Sequence, residues 1–181
     1  NDHCCGNSGS FGAAAGRTTL SGEGLQHEDG SSHLLAATIP TCRAYDPCFQ
    51  HELAMIVAEG TTRMIEREED CFYYVTVMNE NYAHPEAIAG CEEGVLKGMY
   101  RLRRSALPSG APRVQLLGAG TILREVLASA EMLESEWGVA ADVWSVTSFT
   151  ELRRDGMSCE RWNRLHPLES PSRPRSSDPH R

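Results

Sequence analysis

The residues best suited to chemistry lie together in Arg17–His33, which reads RTTLSGEGLQHEDGSSH. Two histidines, His27 and His33, stand among three acids, Glu23, Glu28 and Asp29, with Gly22, Gly24 and Gly30 interleaved. So polar and glycine-broken a segment belongs on a loop, where a rigid scaffold can aim side chains at a ligand. Glycines on both sides of Glu23 let the backbone turn sharply and approach another molecule closely. The imidazole of His27, with an unperturbed pKa of about 6.5, suits proton transfer near neutral pH. On chemistry alone a surface turn with solvated charges is the first reading. His27, Asp29 and His33 do not have the ligand spacing of a zinc or calcium loop.

The elements that must carry this loop follow from periodicity. The apolar run in Leu34–Tyr45, bounded by Pro40 and Pro47, predicts a short strand. Asp46–Pro47 predicts a helix start, with Asp46 as cap and Pro47 at the first position, where its missing N–H costs nothing. The helix, Phe49–Glu66, should bury Leu53, Ile56, Val57, Gly60 and Met64 on one face and pair Glu59 with Arg63 on another. Cys71–Val77 is β-branched and aromatic, as in a strand buried on both faces of a parallel sheet. Asn79–Tyr82 (NENY) is a polar turn, and Pro85–Arg104 reads as partly helical with Glu92, Glu93, Lys97, Arg101 and Arg103 exposed.

Beyond the turn-rich Leu107–Pro112 comes the clearest local unit: strand Arg113–Leu117, turn Gly118–Gly120, helix Ile122–Trp137 and strand Asp142–Val146. Ile122, Val126, Ala130 and Leu133 form the helix's apolar face, and Gly138 is placed for a left-handed cap. Gly118-Ala119-Gly120 invites a dinucleotide reading. Leu123 occupies the place of the third glycine, and Asp142 opens the next strand instead of ending it, so a tight strand-to-helix turn is the better account. Ser148 and Glu151 form a capping box that starts a short helix. The fold class is therefore α/β with mainly parallel strands.

Composition narrows the function classes. The chain has 181 residues, 40% hydrophobic and 23% charged, enough for one soluble domain or parts of two. Its net charge of -8 argues against a nucleic-acid partner. No apolar run approaches the ~20 residues of a membrane span, and no signal peptide is visible. Seven cysteines without a CxxC pair read as reduced thiols, and none is singled out as a nucleophile.

The motifs GRTTLSGEGLQHEDG, TIPTCRAYDP, NENYAHPE, VQLLGAGTILREV, DVWSVTSFTELRRDG and CERWNRLHPLE follow one another without interruption from about Ala13 to Pro171. In that order they resemble the homodimeric type of pyruvate dehydrogenase, the decarboxylating first component of the complex. The resemblance implies a fragment made of two incomplete domains of the thiamine-diphosphate, transketolase-like architecture. Residues 13–90 would end the middle, pyrimidine-binding domain, and 91–171 would supply a linker and the start of the C-terminal domain. Residues 1–12 and 172–181 fall off the pattern and read as disordered. The two parts should meet near Ala83–Pro112 and pack weakly, since each lacks part of its sheet.

The same resemblance implies a function. The family uses thiamine diphosphate and Mg²⁺ to decarboxylate pyruvate, then passes the acetyl group to the lipoyl domain of dihydrolipoamide acetyltransferase. Its members are cytoplasmic homodimers. The histidine of GEGLQHEDG, here His27, faces the thiamine and the substrate, and Glu23 belongs to the same active centre. No metal ligand is assigned in this chain, because the family's GDG motif with its later Asn, which holds the diphosphate and Mg²⁺, has no match. The glutamate that activates the aminopyrimidine also lies upstream of this stretch. Alone, the chain is expected to be inactive. A catalytically silent α/β dimerisation or interaction module is the alternative.

Overall fold

The computed structural model describes residues 31–78 and 81–168, together with the backbone of residues 11–14. The fold is α/β with mainly parallel strands, arranged as two three-stranded sheets. The first sheet has the order β1-β3-β2, with β1 at Phe11–Ala14, β2 at Cys42–Tyr45 and β3 at Phe72–Thr76. Both neighbours run parallel to β3, with Ala14 opposite Thr76 and Tyr45 opposite Val75. The aromatic and β-branched sequence of β3 suits this central place, where both edges are paired.

Two local readings change here. The apolar run predicted as a strand over Leu34–Tyr45 divides into a single-turn helix, α1 (Ser32–Ala36), and the shorter β2. Leu34 and Leu35 are exposed, so hydrophobicity at that point does not report burial. Pro40, which cannot donate to a ladder, falls between the two elements. The long helix is α2 (Gln50–Thr61), extended by a π-helical turn over Thr62–Glu66. Ile56 and Gly60 are buried as expected, whereas Val57 is exposed. Glu59 pairs with Arg67 instead of Arg63, which turns to Glu69 at 2.5 Å.

The second sheet has the order β4-β6-β5, with β4 at Tyr100–Arg103, β5 at Arg113–Gly118 and β6 at Ala140–Ser145. β5 is parallel to β6, and β4 is antiparallel to it. Pro85–Arg104, expected to be partly helical, contains the short helix α3 (Glu92–Lys97). Gly98, at φ 104°, ends it in the left-handed region, and the chain enters β4 at once. Helix α4 (Ile122–Trp137) ends at Gly138, φ 62°, as its sequence predicts. It buries Leu123 and Ala130, with Val126 and Leu133 packed against that core, while Ile122 faces outward. The Ser148 Oγ accepts from Glu151 N–H at 3.0 Å, starting α5 (Phe149–Leu165), which is longer than the short helix expected.

The sheets are not loosely joined. Tyr45, Tyr73 and Val75 of the first, with Ile56 of α2, share one core with Val95 and Tyr100 from the second half of the chain. Helix α5 returns to pack on β2. There Glu151 lies between Arg43, at 2.8 Å, and Arg154, at 2.6 Å, and Arg154 donates to the Cys42 carbonyl at 2.7 Å. The weak packing expected between the two halves is replaced by a buried, hydrogen-bonded junction.

Candidate functional site

Parallel sheets bind ligands outside the carboxyl ends of their strands. In the first sheet that edge is formed by Ala14, Tyr45 and Thr76, so the chain leaves all three strands on the same side. In the second sheet the corresponding ends of β5 and β6 lead into Gly118–Thr121 and Val146–Ser148. These two edges face each other. Asp46 N–H donates to the Thr147 carbonyl at 2.7 Å, and Gly120 N–H donates to the Asp46 carbonyl at 3.0 Å. Gly118-Ala119-Gly120 is thus a strand-to-helix turn that receives Asp46. At Gly120, φ 50°, an added Cβ would lie 2.6 Å from Asp46 Oδ1, so glycine is required both by conformation and by close approach.

Asp46 does not cap α2, as its sequence position suggested. Its carboxylate accepts from the buried Thr76 hydroxyl at 2.5 Å, and its backbone is held by the second sheet. The cap comes from Glu52 instead. Its Oε2 accepts from Cys48 N–H at 2.7 Å and Phe49 N–H at 2.9 Å, satisfying donors that the start of a helix leaves open. Oε1 reaches the other way, accepting from Tyr100 OH at 2.8 Å and Ser145 OH at 2.5 Å. Glu52 has no solvent exposure, and four donors, two from the start of α2 and two from β4 and β6, replace the water it has lost. Burial, and then the neighbouring Glu52 carboxylate, push the Tyr100 phenol upward, so it remains the donor.

Around this junction sits a group of rings. Phe49 and His51 stack at 5.9 Å, and Tyr82 and His84 lie 4.6 Å apart. Tyr82 OH donates to the Cys48 carbonyl, and Gln50 N–H donates to His84 Nδ1 at 3.1 Å, which leaves Nε2 as the protonated nitrogen of a neutral ring. The Arg124 guanidinium covers the Tyr82 ring at 4.6 Å. Two clefts open beside these rings. One, of about 280 Å³, lies between Pro47–Gln50 on one side and Val77, Met78, Asn81, Tyr82 and His84 on the other. The other, about 670 Å³, is bounded by Phe49, Tyr82 and His84 on one side and Leu102, Arg124 and Leu127 on the other. The arrangement can receive a flat, partly polar group between elements of both halves. Burial pushes the Cys48 thiol up to about 12, so it is a neutral wall atom and not a nucleophile. Cys42, Cys48, Cys71, Cys91 and Cys159 are all free and buried.

Glu23 and His27, the residues to which the sequence points, lie outside the described residues. The structure brings together what flanks them. β1 ends at Ala14, opposite Thr76, and His33 Nε2 lies 3.1 Å from Thr76 Oγ1. Sequence reading missed Asp46, Glu52, Thr76 and His84 as parts of this edge. Glu52 had a readable signal, since an acid three residues into a helix commonly caps it. The partners of Asp46 and Thr76 lie on other elements and leave no local trace. Among the described residues no three His, Cys, Asp or Glu side chains gather as metal ligands. No described helix is long and apolar enough to cross a membrane.

Comparison with known proteins follows the same two-part division. Residues 6–85 match the family model of the pyruvate dehydrogenase E1 component middle domain, and residues 98–174 match the transketolase-like C-terminal domain. The pyruvate dehydrogenase E1 component of Pseudomonas aeruginosa is 61% identical over 161 residues, 89% of this chain. That of Cupriavidus necator is 58% identical over 161 residues, also 89% of the chain, and that of Escherichia coli K12 is 54% identical over 165 residues, 91% of it. The chain spans 18% of the length of each of these curated relatives. Among solved structures, the transketolase of Campylobacter jejuni superposes with a TM-score of 0.57 at 19% identity, covering 83% of this chain and 22% of that one. A transketolase of Pichia stipitis gives 0.53 at 16% identity, covering 78% and 19%. These structural likenesses establish a transketolase-like fold. With long, high-identity matches across both halves, the chain belongs to the pyruvate dehydrogenase E1 component family, of which it represents one short stretch.

Proposed function

We propose that this chain is part of the active centre of a protein that decarboxylates pyruvate and transfers the acetyl group to the lipoyl domain of dihydrolipoamide acetyltransferase. The carrying observation is the middle-domain match over residues 6–85, which includes Glu23 and His27. The edge geometry supports it, since β1, which precedes those residues, ends on the same side as the ring-lined clefts. In this reading His27 gives or holds a proton at the substrate, and Glu23 supports it. Glu52 fixes the wall of the cleft against the second sheet. The protein acts as a cytoplasmic homodimer, with residues 13–90 ending its middle domain and 91–171 opening its C-terminal one.

Thiamine diphosphate with Mg²⁺ would supply the electron sink for decarboxylation. The described residues do not fit its metal end, because they contain no cluster of metal-ligating side chains. Those ligands must therefore come from other residues of the protein. Calorimetry on this chain alone should show no Mg²⁺-dependent binding of thiamine diphosphate, whereas the full-length protein should bind it.

The decisive test is His27→Ala in the full-length protein, with decarboxylation in a single turnover measured apart from transfer to lipoamide. Turnover should fall by about 10²–10⁴-fold, the range for loss of a general acid or base. Cofactor affinity should change little. Unimpaired chemistry in both half-reactions would remove the catalytic role. The second reading, a catalytically silent module, draws on the buried junction that lets both halves hold together without further sequence. Wild-type full-length protein without decarboxylase activity would favour it.

A further inference from the structure

The larger cleft takes a wall from each half of the chain. On one side stand the rings of Phe49, Tyr82 and His84. Tyr82 and His84 lie 4.6 Å apart, and Phe49 meets both edge-on, at 6.4 and 6.3 Å. On the other side are the aliphatic chains of Leu102 on β4 and Leu127 on α4. Its volume of about 670 Å³ lies within the range of small-molecule sites. A space between aromatic rings and branched aliphatic chains favours a flat apolar body over a bulky one.

The side-chain polar groups at this cleft are donors. His84 Nδ1 accepts from Gln50 N–H at 3.1 Å, so the proton of the neutral ring sits on Nε2, turned away from the start of α2. His84 is exposed, which leaves that N–H open to a ligand. Arg124, in the first turn of α4, lays its guanidinium over the Tyr82 ring at 4.6 Å. Stacking uses the face of a guanidinium, whereas its N–H donors lie in its plane. Arg103, the other cation here, is answered by Glu134 and by Glu131 at 3.9 Å. No carboxylate is among the described lining residues. The smaller cleft shares the three rings but has no cation in its described lining. A donor and a cation beside stacked rings suit a negatively charged acceptor carried on a flat apolar body.

We infer that the larger cleft is a binding site for a small planar aromatic carboxylate. The ligand ring lies between the aromatic wall and the side chains of Leu102 and Leu127. Its carboxylate accepts from His84 Nε2–H and meets the Arg124 guanidinium, both of which are gathered around the Tyr82 ring. The assignment goes beyond the proposed chemistry of His27 and does not depend on it.

Benzoate is the probe. Titrated into the whole chain and followed by two-dimensional NMR, it should give saturable shifts at Tyr82, Ala83, His84 and Leu127, with a Kd on the order of 1 mM. Cyclohexanecarboxylate carries the charge without the planar ring, and benzyl alcohol carries the ring without the charge. Each should bind about tenfold more weakly. His84→Phe keeps a ring and removes the donor, and should weaken benzoate about tenfold. His84 is exposed, so this change spares the core. Arg124→Met keeps a side chain over Tyr82 and removes the charge, so it should weaken benzoate and leave benzyl alcohol unchanged. The inference is overturned by the absence of saturable shifts at these residues, by either control binding as tightly as benzoate, or by full benzoate affinity in either variant. Because only binding is read, failure here remains distinct from failure of the proposed catalytic role.

Discussion

At the scale of single residues, the most demanding group is Glu52. Its four donors come from the start of α2, from β4 and from β6. Removing the carboxylate leaves them buried without an acceptor, and such groups cost about 1–3 kcal/mol each when orphaned. Glu52→Ala should lower stability by about 3 kcal/mol or more in urea unfolding. A loss below about 1 kcal/mol would show that water replaces the carboxylate. Cys48 supplies a pH test. Burial, followed by the nearby Glu52, raises its thiol to about 12. An unfolded cysteine ionises near ~8.5, so between these values the folded chain keeps a proton that the unfolded chain releases. Stability contributed by Cys48 is thus fully present below the unfolded value and is lost as pH rises toward the folded one. Tyr45, Tyr82 and Tyr100 are also raised, chiefly by burial, and push in the same direction at higher pH. Urea midpoints should fall between pH 7.5 and 10, and Cys48→Ser should flatten the early part of that decline.

At the scale of elements, left-handed glycines separate helix endings that merely need a conformation from those that also need space. Gly138 ends α4 with nothing within 4 Å of an added Cβ. Gly98 ends α3 with φ 104°, and a Cβ there would run into the Ser148 carbonyl and the Leu152 side chain. Gly138→Ala should cost about 1 kcal/mol, the strain of the backbone alone. Gly98→Ala should cost roughly 3 kcal/mol, because α5 must also shift. Thermal melts that reverse this order would contradict the packing at Gly98.

The same contrast marks what sequence could convey. Helix α4 and its glycine stop were readable because periodicity and cap lie within one segment. The Ser148–Glu151 box was readable for the same reason. β4 was not, since Tyr100–Arg103 is four residues long and owes its strand form to pairing with β6, about forty residues later. The candidate edge was half legible. Glu23 and His27, to which the sequence points, lie outside the described residues, and the Asp46–Thr76 contact joins different strands and has no local signature.

At the scale of the whole molecule, β5 pairs only with β6 among the described residues and presents an open strand edge. Leu117 on β5 and Phe149 at the start of α5 are both exposed. Open edges with exposed apolar side chains template pairing with another chain. The isolated chain should therefore self-associate as its concentration rises, and Leu117→Lys should shift sedimentation toward monomer. A monomer at all concentrations would show that the edge is protected.

The Glu52 junction also imposes an order of events in time. Glu52 and Ser145 are separated by 93 positions in the chain. At synthesis rates of about 5–20 residues per second, roughly 5–20 s pass between making one and making the other. Throughout that interval the first sheet can assemble on the ribosome, but the carboxylate at its edge still faces water. The nascent first half is thus finished in topology and unfinished in polarity. Emergence of β6 is the step that removes the last water from Glu52 and turns two growing sheets into one body.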